Sequence, residues 1–160
     1  MDIRPLDSAD LPAVLDLTLA TFGPFYEDFY RPAVGEKVFH NRHSGWRDDY
    51  RKQLAGIHDP SHGKYAAVAT SEGTIDGYVA WLIQAEARHG EIDLLAVASS
   101  GRRQQCGRRL AQHAIDAMQS AGVDVVSIGT GGDAFHAPAR ALYEALGFTA
   151  YPTVSYTKTV

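Results

Sequence analysis

Residues 94–110, LLAVASSGRRQQCGRRL, constrain the fold more than any other part of this chain. The apolar run at 94–97 predicts a strand. Leu110, Ala111, Ala114, Ile115, Met118 and Ala121 then recur at helical spacing. Between the two lies a short polar turn dense in arginine: Arg102, Arg103, Arg108 and Arg109. A strand that turns sharply into a helix leaves the first backbone N–H groups of the helix unpaired. The helix dipole adds partial positive charge at the same place. With arginines beside it, such a turn suits an anion, and a diphosphate above all. The alternative is an arginine-rich helix start that is merely solvated.

Two known phosphate loops do not fit the turn. A Walker A loop needs a Gly-Lys pair before Ser or Thr, and the chain has none. A dinucleotide fingerprint needs three glycines, and the turn holds only two, Gly101 and Gly107. The segment Arg102-Arg103-Gln104-Gln105-Cys106-Gly107 instead resembles the acyl-CoA motif of the GCN5-related N-acetyltransferases (GNAT). That motif runs Arg or Gln, two residues, Gly, one residue, then Gly or Ala. The last glycine is present, and Gln105 stands in place of the first. A position that needs positive φ would strain glutamine there, whereas one that needs only an outward N–H would tolerate it.

Residues 136–148, HAPARALYEALGF, resemble the later signature of the same family. Ala139, Leu142, Tyr143, Gly147 and Phe148 fall in register, and His136 replaces the usual asparagine. Physically this is a short helix, with Pro138 tolerated in its first turn and Gly147 as its stop. The resemblance covers roughly residues 64–150 well and is weak before residue 60.

Composition bounds the rest. A chain of 160 residues is enough for one domain, here 1–160, and 45% hydrophobic with 21% charged residues is ordinary for a soluble globular protein. The first ten residues lack the pattern of a signal peptide, and no apolar run reaches membrane-spanning length. A single cysteine fits a reducing, cytoplasmic setting. The net charge of −4 makes the arginine cluster a local positive patch on an acidic protein. That suits a small anionic cofactor better than a long nucleic acid. Among the histidines, His40, His43, His58 and His62 form two loose pairs without metal-ligand spacing, so no metal is expected.

Along the chain, the pattern predicts a strand over 2–6 and a helix over about 9–20 capped by Asp7 or Ser8. An irregular aromatic stretch follows over 21–45, interrupted at Gly23-Pro24 and Arg31-Pro32, and then a helix over 46–56. Strands follow over 65–70, 75–84, 89–97 and 123–129, the last read as a central strand, with one or two more over 148–159. The order argues for an α/β (α+β) domain with a central mixed sheet.

The resemblance implies more: a mostly antiparallel twisted sheet flanked by helices, with splayed central strands ending near Val97 and Gly129. It implies acetyl-CoA as acyl donor, with the pantetheine arm against the backbone of Leu95, Ala96 and Val97. Arg102, Arg103, Gln104, Gln105, Cys106, Gly107 and Arg108 would hold the diphosphate, and His136 would stand at the pantetheine arm. It implies N-acetyl transfer to a primary amine of a small molecule or peptide by direct attack in a ternary complex.

Glu91 matches the position of a general base in one branch of the family, and His89 and Asp93 share its strand face by alternation. Tyr143 is the candidate general acid for the departing thiolate. Cys106 reads as a buried structural thiol. The 129–133 loop reads either as a place where a ligand backbone can approach or as a plain strand-to-helix turn. The aromatics of 22–50 read as core or as an acceptor wall, with His43, Trp46, Asp48 and Asp49 able to bring a carboxylate to a cationic amine. A non-catalytic acyl-CoA-binding module is the alternative. Terminal strands would offer a route to a homodimer.

Overall fold

The computed structural model describes residues 1–99 and 105–160. Asp7 opens the first helical segment: its carboxylate accepts the Ala9 N–H (2.8 Å), and Asp10 returns the bond to the Asp7 N–H (2.8 Å). This reciprocal box satisfies amides that the helix start would otherwise leave orphaned. It leads into α1 (Leu11–Pro24).

The chain does not then become irregular, as the two prolines suggested. It continues as a π-helical turn (Phe25–Tyr30), α2 (Arg31–Val34) and α3 (Glu36–His43), followed by α4 (Trp46–Ala55). Pro24 ends α1 and Pro32 sits in the first turn of α2, where a missing N–H costs little. The wider π turn between them absorbs the break.

The sheet has five strands in the order β1 (Asp2–Pro5), β2 (Lys64–Ser71), β3 (Thr74–Gln84), β4 (His89–Val97) and β5 (Val125–Ile128). The first three pairings are antiparallel, and β4 with β5 is parallel. A parallel pair needs a crossover, and α5 (Cys106–Ser120) supplies it. α6 (Ala137–Ala145) completes the fold. On one face, α5 buries Leu110, Ala111, Ala114 and Met118 against Val79, Trp81 and Ile92. On the other, Val14 of α1 and Leu54 of α4 pack on Ala66, Val68, Tyr78 and Ala96. The fully buried Tyr78 hydroxyl donates to Thr18 Oγ1 (2.8 Å), which donates to the Val14 carbonyl (2.6 Å). The polar pair inside this apolar layer is therefore satisfied.

Two further sequence expectations fail. The apolar run over 123–129 forms an edge strand, with Val125 60% exposed, because α5 returns the chain to the outer side of β4. No strand forms over 148–159. Tyr151, Val154 and Tyr156 are exposed, and Lys37 Nζ donates to the Val160 carbonyl (3.3 Å) at the end of that segment. Alternation makes a strand only where a sheet edge is presented to it. The route to a homodimer through terminal strands loses its structural basis here.

Candidate active site

The site begins where β4 loses its neighbour. Pairing with β5 runs from His89↔Val125 to Ile92↔Ile128, whereas pairing with β3 continues to Val97. The outer edge of β4 beyond Ile92 therefore faces a gap, with Leu95, Ala96 and Val97 along it. Asp93 is an extra residue on β4: Ile92 lies opposite Trp81 and Leu94 opposite Ala80. Such bulges re-aim side chains and often border active sites. Up to the bulge, Gly90 and Ile92 face α5, so His89 and Glu91 face the α1/α4 side. His89 Nε2 meets Ser127 Oγ at 3.0 Å, Gln53 of α4 donates to Asp93 (2.9 Å), and half-buried Glu91 stands between them.

The start of α5 lies beside the same gap. Gln105 occupies its N-cap position at φ 58°, ψ 14°, so the position does demand a left-handed backbone. Its side chain does not cap the helix, and the first intrahelical bond runs from the Arg109 N–H to the Gln105 carbonyl (2.9 Å). That leaves the amides of Cys106, Gly107 and Arg108 outside the helical ladder. The left-handed cost to an L-residue is about 1–2 kcal/mol. Gln105→Gly should therefore stabilise the fold by roughly 0.5–1 kcal/mol after the entropy of glycine is counted. Thermal denaturation checks this, and a lower Tm in the variant would contradict it.

Cys106 is 1% exposed, and burial pushes its thiol above the ordinary range, which fits a structural role. Arg108 Nη2 reaches the Ala145 carbonyl at the end of α6 (3.4 Å), and Arg109 donates to the Met1 carbonyl (3.1 Å). Arg102, Arg103 and Gln104 lie outside the described residues.

Gly107 joins the two sequence motifs. A Cβ there would lie 3.4 Å from both Leu142 of α6 and Val97 of β4. Tyr143, on the same helix, is half-buried against Phe148, and burial raises its phenol pKa. At the start of α6, His136 Nδ1 meets both Asp133 oxygens (2.8 and 3.0 Å), and its own N–H donates to Asp133 (3.1 Å). Sequence reasoning placed His136 at the site but missed its carboxylate.

Opposite the gap, Tyr26, Trp46, Asp49, Tyr50, Gln53 and Leu94 line a recess of about 140 Å³. Tyr26 stacks on Trp46 (4.8 Å between centroids), and the Trp46 indole N–H donates to Glu27 (3.1 Å). Glu27 also takes Arg31 and Arg47, a junction that nothing in the sequence marked. Of the polar residues expected at this wall, Asp49 lines the recess. Asp48 pairs with Arg51 instead, and His43 packs on Tyr26 and Tyr30. The aromatics are thus both core and wall.

A family model for acetyltransferases, the GNAT family, matches residues 21–148. The chain belongs to the GNAT acetyltransferase family. A Bacillus subtilis (strain 168) protein described as an uncharacterized N-acetyltransferase, YsnE, is 36% identical over 67 residues. That match spans 42% of this chain and 44% of the relative, so the chain covers under half the length of the curated relative it matches.

Among solved structures, a mutant of the BH1408 protein from Bacillus halodurans superposes over 100% of both chains with a TM-score of 0.72 at 16% identity. AAC(6')-Iy, in complex with the bisubstrate analogue CoA-S-monomethyl-acetylneamine, is covered over 97% of its chain and 99% of this one, with a TM-score of 0.65 at 14% identity. At such identities the likeness is one of GNAT fold. The GNAT family uses acetyl-CoA as co-substrate. Among the described residues, no group of three or more His, Cys, Asp or Glu could hold a metal ion, and no helix is long and apolar enough to cross a membrane.

Proposed function

We propose that this GNAT protein transfers the acetyl group of acetyl-CoA to a primary amine of a small molecule or peptide, by direct attack in a ternary complex. The observation that carries this reading is the open β4 edge beside an uncapped α5 start: β4–β5 pairing ends at Ile92↔Ile128, and the α5 amides begin at Cys106. Leu95 and Val97 offer backbone groups to the pantetheine arm, on either side of Ala96, whose own groups face β3. The amides of Cys106, Gly107 and Arg108, behind the Gln105 turn, offer a nest to the diphosphate. Arg102, Arg103 and Gln104 belong to the same motif by sequence. Acetyl-CoA supplies the activated acyl group, and every other task falls to the protein.

The acceptor arrives as an ammonium. An alkyl amine of pKa about 10.4 is almost wholly protonated at neutral pH, so it must first lose a proton. Glu91 faces the acceptor side of β4, between His89–Ser127 and Asp93–Gln53, and serves as that base. Asp49, at the recess wall, attracts the cation.

Tyr143 keeps its proton at every working pH, because burial raises its pKa. Its phenol is therefore a steady hydrogen-bond donor to the departing thiolate. Tyr143→Phe is expected to lower kcat by about 10²-fold, the low end for a positioned acid, with little change in Kd for acetyl-CoA. Equal turnover in the two proteins would remove Tyr143 from the reaction.

The test of the whole reading is calorimetric titration with acetyl-CoA, beside dephospho-CoA, followed by thiol release over a panel of amines. Binding with amine-dependent release supports the transferase. Binding without release from any amine favours the acyl-CoA-binding module, and no binding by the folded protein defeats both.

A further inference from the structure

His136 and Asp133 form a closed unit that the reading above does not use beyond contact with the pantetheine arm. His136 Nδ1 lies 2.8 and 3.0 Å from the two Asp133 oxygens. Burial pushes the Asp133 carboxyl up, yet the His136 ring and backbone N–H outweigh it and hold the group below its ordinary range. A carboxylate there requires the proton on Nδ1, so in the neutral ring Nε2 carries the free lone pair.

Three features fix the pair. Arg140 of α6 donates to the Gly131 carbonyl (2.5 Å) and the Asp133 carbonyl (2.7 Å). A Cβ at Gly131 would collide with Asp133 Oδ2 and His136 Nδ1, so only glycine leaves the pair its place. Phe25 of the π turn meets the imidazole edge-on at 4.6 Å, and Phe135 at 5.0 Å. The charged groups against His136 are thus Asp133 and, through the loop carbonyls, Arg140. The π turn presents Phe25 here, while its Glu27 is held by Arg31, Arg47 and Trp46.

The location is as informative as the geometry. Past Ile128, the chain leaves β5 at the gap and reaches His136 at the start of α6, two helical turns before Tyr143. Phe25 ties this point to the acceptor wall. The imidazole therefore stands between the cofactor-side helix and the acceptor-side aromatics, each already placed at one end of the reaction.

We propose that His136, oriented by Asp133, carries the proton of the attacking nitrogen to the departing sulfur. The inference rests on the acetyl-transfer reading and completes its proton balance. An acceptor ammonium loses two protons overall, the first to Glu91 and on to solvent. As the nitrogen–carbonyl carbon bond forms and the carbon–sulfur bond breaks, Nε2 takes the second proton and delivers it to sulfur. The imidazole ends neutral, and free thiol and amide are the products. An oriented histidine is suited to accept and then donate within one turnover, because one ring nitrogen holds Asp133 while the other is left to move the proton. Tyr143, reluctant to part with its proton, steadies the sulfur. His136 is the catalytic residue and Asp133 its positioning residue.

The test compares wild type with His136→Gln, His136→Asn and Asp133→Asn. The readouts are acetyl-CoA calorimetry, thiol release against pH, and long-range nitrogen NMR of the imidazole. The expected result is near-unchanged acetyl-CoA affinity in His136→Asn, the residue usual in the family signature. kcat should fall by about 10²-fold or more in both His136 variants, with loss of the ascending limb of the pH profile. Wild-type His136 should appear as the Nδ1–H tautomer with an Nε2 signal that moves on adding acetyl-CoA, and Asp133→Asn should populate the other tautomer.

A purely structural role would move stability and not the pH limb. Thiol release and a pH limb that survive in both His136 variants overturn this inference alone. So does an Nε2 signal indifferent to acetyl-CoA. A wild type that binds acetyl-CoA yet releases no thiol overturns the transfer reading together with it.

Discussion

Glu91→Gln is expected to lower kcat/KM at pH 7 by about 10²–10³-fold, with acetyl-CoA affinity unchanged. The size follows from the acceptor. At pH 7 an amine of pKa about 10.4 is free in only about one molecule in 2,500, and a positioned base recovers most of that deficit. Glutamine keeps the size and strand geometry of the side chain, so β4 keeps its register between Leu82 and Ser127. The deficit of the variant should shrink as pH rises and nearly vanish close to the amine pKa, because solvent then does the work of the base. Asp93→Asn and His89→Gln are the controls. Asp93 is exposed and receives Gln53, and His89 is held by Ser127, so each should have a much smaller effect. If Asp93→Asn carried the loss, the base would lie at the bulge and not before it.

That bulge explains much of what was and was not legible in the chain. The β4 run and the α5 periodicity are written in the sequence, and both form where expected. The polar alternation of His89 and Glu91 is equally plain. The extra residue at Asp93 is not, because a bulge depends on how Ala80 and Trp81 pair across it. It resets the alternation, so that Leu94 and Ala96 face α1 and α4 while Leu95 and Val97 face α5. The αL backbone at Gln105 illustrates a different limit. Glutamine carries no signal for positive φ, so the sequence left two readings and the geometry of the strand-to-helix turn decided between them. The prolines at 24 and 32 misled for a third reason. They break hydrogen bonds locally, but aromatic packing through Tyr26, Trp46 and Tyr50 holds the 21–45 stretch helical. The Asp133–His136 pair was hidden in a glycine-rich loop that read either as a ligand approach or as a plain turn, because the short loop folds back on itself only with Gly131 between the partners. The terminal alternation was misleading in the opposite sense, since strand propensity was present and an edge was not.

Gly77→Ala separates the framework of the site from its contacts. Gly77 lies on β3 opposite Val97, and a Cβ there would sit 2.8 Å from the Ala96 carbonyl oxygen, 3.0 Å from Leu110 Cδ1 and 3.2 Å from Cys106 Sγ. Leu110 can shift a little, but the Ala96 carbonyl can move only if β4 moves. Overpacking of this kind costs about 1–3 kcal/mol. For a chain of this size each kcal/mol lowers Tm by roughly 2–4 °C. Because relieving the clash shifts β4, and with it the open edge and the start of α5, acetyl-CoA affinity should fall as well. Gly107→Ala makes the opposite case. Its Cβ would meet Leu142 and Val97 at 3.4 Å, an ordinary contact, so Tm should hold nearly steady. Yet the added methyl stands in the first turn of α5, whose amides are proposed to hold the diphosphate, and about tenfold weaker acetyl-CoA binding is expected. Thermal denaturation and calorimetry on the two variants give a clear contrast: Gly77→Ala loses stability and affinity together, and Gly107→Ala loses affinity alone. Full affinity in Gly107→Ala would move the diphosphate away from the start of α5, and with it the cofactor path along β4.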